Sequence, residues 1–181
     1  MIQTVILLAV AIVGAATLAY LLRGSMEQPA NLLELLERME PVNAATLRHL
    51  ACGVDDSFLR ETLPSSQYRR LRRLRLRAIL AYYYTAFRNS AVLISYGFML
   101  EKSSLQELKL FGEQLGSSAV QLRFALLGGM IAVALCYVAP LQLPYWRPIS
   151  DLYETIGANL KGFCEAHAPD LQFAVVQHFS L

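Results

Sequence analysis

From Val5 to Leu22 the chain carries no charged side chain, and Arg23 follows at once. With Met1 to Thr4 added, the run reaches the roughly 20 residues that an α-helix rising 1.5 Å per residue needs to cross a bilayer. A cleaved secretory signal would place Lys or Arg before a shorter apolar stretch and a small-x-small site after it. Here Tyr20, Leu21 and Leu22 follow the last alanine of the run. The segment therefore reads as an uncleaved transmembrane anchor over residues 1–23, ahead of a body over residues 24–181. Cytoplasmic flanks carry the excess of Lys and Arg. Arg23, Arg38 and the dense arginines beyond them all follow the span. The expected topology is an N-terminus outside and a cytoplasmic body at a bacterial inner membrane.

Composition fits an anchored protein with one globular part. Of 181 residues, 55% are hydrophobic and 17% charged, less charge than an ordinary soluble domain carries. The formal net charge of +2 points to no class of partner, so only local clustering can do so. Cys52, Cys136 and Cys164 are too few and too widely spaced for a disulfide framework or a CxxC site, which suits a reduced compartment.

The body reads as helix after helix, an all-α domain. Short helices fill residues 31–63. One spans Asn31 to Met39 before Pro41, one is capped by Asn43 and runs to Ala51, and one starts at Asp55 and Asp56 and stops before Pro64. A long antiparallel hairpin then occupies residues 66–140. In its first arm Leu71, Leu74, Ala78, Ala81, Thr85, Val92 and Met99 recur at spacings of three and four, with Arg88 and Ser95 interrupting the stripe. In its second arm Leu105, Leu108, Gly112, Leu115, Ala119, Leu122 and Leu126 do the same, behind a Ser104–Glu107 capping box. A helical tail covers residues 148–181, with a helix starting near Ser150 or Asp151 and a short strand admitted within Phe173 to Val176.

The run Phe124 to Leu141 is also uncharged and long enough to span a bilayer. Its small residues Gly128, Ala132 and Cys136 could meet Ala11, Ala15 and Ala19 of the anchor. If Leu100 lies opposite Ser104, however, Leu80 falls near Phe124 and Arg72 near Ala132. Drawing the arginines to bilayer depth would cost about 2.5–3.5 kcal/mol for each, even on lenient scales. A buried helix of the cytosolic body is the preferred reading, and a two-span protein with a second span at 124–141 is its alternative.

Arg69, Arg70, Arg72, Arg73, Arg75 and Arg77, interleaved with leucines and followed by Tyr82, Tyr83 and Tyr84, form the candidate binding surface. Near an anionic leaflet each basic side chain contributes about 1 kcal/mol of attraction. An acidic protein is the other candidate partner, and the tether makes nucleic acid a poorer one. The bland reading pairs these arginines with Glu34, Glu37, Glu40, Asp55, Asp56 and Glu61 of the preceding short helices. Association into a homo-oligomer stays open.

Cys164 and His167, with Glu165, His178 and His49, offer a rival enzyme or metal-site reading. Zinc needs three or four ligands at recognised spacings, and none is present. His49 and Cys52 repeat the same three-residue interval and carry no more weight. No GxxxxGK[ST], GxGxxG, HExxH or GxSxG occurs, so no catalytic residue, cofactor or metal is assigned.

The stretch FLRETLPSSQYRRLRRLRLRAILAYYYTAFRNSAVLISYG, Phe58 to Gly97, resembles a family of uncharacterised bacterial proteins with an N-terminal anchor and a proline-started, arginine-rich helix. Tyr82 to Tyr84, Asn89 and Gly97 match its pattern, and the uninterrupted apolar run at Phe124 departs from it. The resemblance implies an anchored helical protein and no particular activity. The combined expectation is a membrane-anchored, non-enzymatic scaffold or interaction module with a basic membrane-proximal helix.

Overall fold

A computed structural model describes residues 29–43, 46, 54–138 and 147–179. The anchor expected over residues 1–23 lies outside the described residues, as do His49, Cys52 and most of the helix expected after Asn43. The described residues are mostly helical, with no strand among them, and form a bundle on one long helix pair.

The first helix, α1, runs Leu32–Arg38. Asn31 Oδ1 accepts the Glu34 amide at 2.8 Å, and Glu34 returns a carboxylate oxygen to the Ala30 amide at 2.6 Å, so free N–H groups at the start are satisfied locally. Leu32, Leu35 and Leu36 are buried together on one side. Beyond Pro41, Asn43 Oδ1 accepts the Thr46 amide at 2.8 Å, the cap expected there. Helix α2, Val54–Thr62, ends just before Pro64.

Two long helices dominate. Helix α3 is Ser65–Glu101, 37 residues starting directly after Pro64, and α4 is Gln106–Val138, 33 residues. Tyrosine and aliphatic residues alternate with arginine along the start of α3, and no proline interrupts it. At 1.5 Å per residue α3 is about 55 Å long. The turn occupies Lys102 to Leu105, and its side-chain contact comes from Ser103, whose Oγ accepts the Leu105 amide at 3.3 Å. The expected reciprocal bonds between Ser104 and Glu107 do not form, because α4 begins only at Gln106.

Near the tip the two backbones touch. A Cβ built on Gly97 would lie 2.9 Å from the Gly112 carbonyl oxygen, and one on Gly112 would lie 2.7 Å from that of Gly97. Only glycine permits this approach. The contact sets a register in which Phe87 meets Arg123, Tyr83 meets Gly129, and the Tyr137 hydroxyl donates to the Arg73 carbonyl at 3.2 Å. The arms are thus slid by several residues from the expected alignment of Leu80 with Phe124 and Arg72 with Ala132. The turn lies later in the chain than that alignment requires, and the glycine contact holds both arms in the shifted register.

On α4 the stripe Gly112, Leu115, Ala119, Leu122 and Leu126 is buried, as its spacing predicts, while Leu105 is exposed ahead of the helix. On α3 the expected stripe is not the core. Leu71, Leu74 and Ala81 are exposed, and the buried line is Leu76, Ile79, Tyr83, Ala86, Ser90, Leu93, Gly97 and Leu100. Both lines run at spacings of three and four, and the one that faces α4 and its neighbours wins.

Helix α5, Arg147–His167, starts ahead of Ser150 because Pro148 is tolerated in a first turn. Its Ile149 lies by the same Gly129 that Tyr83 meets, and its Phe163 stacks on Phe111 with ring centroids 4.1 Å apart. It therefore runs antiparallel to α4 and parallel to α3. A 3-10 turn, Pro169–Leu171, leads into α6, Gln172–Phe179. The strand admitted within Phe173 to Val176 is thus helix, since Val175 and Phe179, four apart, are buried on one side of it. Phe179 closes over Gly157 and Tyr153, and the Val42 amide bonds the His178 carbonyl at 3.2 Å, joining the segment after α1 to α6.

Candidate functional site

The six arginines of the candidate surface occupy the start of α3, ahead of the part most deeply enclosed by other helices. Arg69, Arg70, Arg73 and Arg77 are exposed, while Arg72 and Arg75 are half-buried. Arg69 Nε donates to the Ser65 carbonyl one turn back at 3.2 Å. Two acidic residues of α1 and its flank are engaged by other arginines, while Glu37 is exposed. Glu34 bonds Arg38 at 2.5 Å, and Glu40 bonds Arg88 at 2.6 Å. Exposed Leu71 and Leu74 stand among the arginines, with exposed Tyr84 two to three turns on. Tyr83 instead points inward and is fully buried.

The cysteine and histidine residues of the rival reading sit in different surroundings. Cys164 is fully buried, and burial pushes its thiol up, toward the protonated and unreactive form. His167 is exposed, edge-on to Phe163 with centroids 4.7 Å apart. His178 is half-buried with Nδ1 unbonded, and burial pushes its pKa down. Among the described residues no three His, Cys, Asp or Glu side chains are grouped so as to hold a metal ion.

A second site was not visible in the sequence. Between α1, α3 and α4 lies a cavity of about 490 Å³, lined among others by Arg38, Glu40, Arg88, Asn89, Ser95 and Arg123. Arg123 is only 4% exposed. Its guanidinium carbon lies 4.3 Å from the centroid of the Phe87 ring, and its Nε and Nη1 are buried without a hydrogen-bond partner. Stacking on an aromatic face offsets part of the desolvation of a cation. Burial nonetheless depresses the Arg123 pKa.

Asn89 supports this wall of the cavity. Its Nδ2 donates to the Glu40 carbonyl at 2.7 Å and to the Tyr153 hydroxyl at 3.0 Å, and its Oδ1 accepts the Glu40 amide at 3.0 Å. That side chain therefore ties α1 to α3 and α5. Burial pushes the Tyr153 hydroxyl up to about 12, although the bond with Asn89 works against the rise. The signal that could have disclosed the site is a lone arginine inside the long apolar helix α4, where a charge needs a reason.

No protein family, no curated protein and no solved structure matches this chain.

Proposed function

We propose that this protein is a membrane-associated, non-enzymatic scaffold or interaction module that presents the basic start of α3 to an anionic lipid surface. The observation that carries the reading is the row Arg70, Arg73 and Arg77, exposed on successive turns with Leu71 and Leu74 beside them. Charge for headgroups next to apolar side chains for the acyl boundary is the composition of a surface-binding helix. The anchor over residues 1–23 would keep this surface close to the cytoplasmic face of a bacterial inner membrane.

In this reading α4 belongs to the cytoplasmic body. By length and composition Gln106–Tyr137 could cross a membrane. Its pairing with α3, with Tyr137 bonded to the Arg73 backbone, would carry the arginines into the hydrocarbon with it. Arg123, midway along α4, adds to that cost.

The test uses the full chain reconstituted in vesicles. Arginine modification by phenylglyoxal, mapped by mass spectrometry, should be suppressed at Arg70, Arg73 and Arg77 on anionic vesicles in about 0.1 M salt and restored near 1 M, where the screening length falls to about 3 Å. Equal reactivity on anionic and neutral vesicles would exclude the lipid surface. Protection by a soluble acidic protein instead would redirect the same arginines to a protein partner.

A further inference from the structure

Among the described residues no anion pairs with the buried cation Arg123. Bare charges of this kind are disfavoured in protein interiors unless something pairs with them. Its stacking on Phe87 holds the guanidinium in place but supplies no acceptor for Nε or Nη1. The cavity it lines, about 490 Å³, is of the size that holds small organic ligands. Exposure is graded across the lining. The side chains of Arg88 and Glu40 are 57% and 51% exposed and stand toward solvent, whereas Arg123 is only 4% exposed.

The charges in and around the cavity decide what would fit. Arg38 is balanced by Glu34 and Arg88 by Glu40, in ion pairs of 2.5 and 2.6 Å. Arg123 is left as one positive charge at the buried end. Phe87, Ala91 and Val92 give the lining an apolar part beside it. We infer that this cavity is a binding site for a small organic monoanion, a carboxylate seated on Arg123 with its apolar portion against Phe87, Ala91 and Val92. The planar guanidinium fork matches a carboxylate in two-point hydrogen bonding. A dianionic phosphate would bring a second negative charge that the paired rim does not answer. The site is independent of the basic surface on α3.

The experiment is calorimetric and thermal titration of the full chain in a zwitterionic detergent and an amine buffer, with sodium benzoate, inorganic phosphate and sodium chloride at matched ionic strength. Benzoate should bind saturably and raise the unfolding temperature, phosphate should bind at least ten-fold more weakly, and chloride should do neither. Arg123→Met should retain the fold and lose benzoate binding by at least ten-fold. Arg123→Lys, which keeps the charge and loses the fork, should bind more weakly than the parent, and it serves as the readout if the methionine variant does not fold. Absence of a benzoate effect on the parent protein, an unchanged effect in either variant, or phosphate binding as tight as benzoate would each overturn the assignment.

Discussion

Gly97 and Gly112 meet backbone to backbone across the hairpin, each leaving less than 3 Å between an added Cβ and the other's carbonyl oxygen. That contact lies between two main chains, so no rotamer change can relieve an intrusion. Gly97→Ala or Gly112→Ala should destabilise the protein by about 1–3 kcal/mol through overpacking, despite the better helix propensity of alanine. Gly128 and Gly162, which have nothing within 4 Å of an added Cβ, provide the contrast. Alanine there should stabilise by about 0.5–1 kcal/mol. Urea unfolding of the four variants checks the sign at each position.

Arg123→Met should raise the unfolding temperature of the ligand-free protein. Removing an unpaired buried charge and filling its place with an apolar side chain relieves a desolvation cost, for an expected gain of about 1–3 kcal/mol. A loss of stability of that size would show that the guanidinium has a satisfying partner after all.

Asn89→Leu should cost about 2–4 kcal/mol, because it leaves the Glu40 amide and carbonyl and the Tyr153 hydroxyl without their shared partner. Amide hydrogen exchange should show α1 losing protection before α3 and α4 do. Uniform loss across all three helices would mean that the Asn89 side chain supports the whole bundle rather than this junction.

Acid should weaken the fold in part through His178. Its folded pKa is depressed by burial, so the unfolded chain takes up the proton more readily. The associated stability is fully present above the unfolded value near 6.5 and declines as pH falls from there through the folded value. Unfolding temperatures between pH 8 and pH 5 should therefore fall less steeply in His178→Gln. Parallel profiles for the two proteins would remove His178 from the account.

Much of the architecture was legible from spacing, and the failures have physical causes. On α4 the line from Gly112 to Leu126 was readable because its neighbours are polar enough to leave one apolar face. On α3 the alternation of arginine and leucine from Arg69 to Arg77 generates two apolar lines, and the buried one is interrupted by Ser90 and flanked by Asn89. Periodicity cannot choose between them, since the choice depends on where α4 and α5 lie. Pro64 lies directly ahead of α3, whereas α5 starts at Arg147, three residues before the expected Ser150, with Pro148 inside its first turn. The arginine row was visible as composition, but which members face solvent depends on the packing of α3. The cavity's one trace was Arg123 itself, because its rim comes from residues near α1, more than eighty positions earlier.

The fastening of Glu40 to Asn89 also sets how force passes through the molecule. Asn89 lies well inside α3, and Val42 adds a second attachment at His178. A pull on the chain ahead of α1 should therefore reach the bundle through Asn89, well inside its longest helix, before the ends of α3 feel it. Because α1 meets α3 far less extensively than α4 does, that junction should yield before the hairpin opens, which makes α1 the first part of the described body to come away under load.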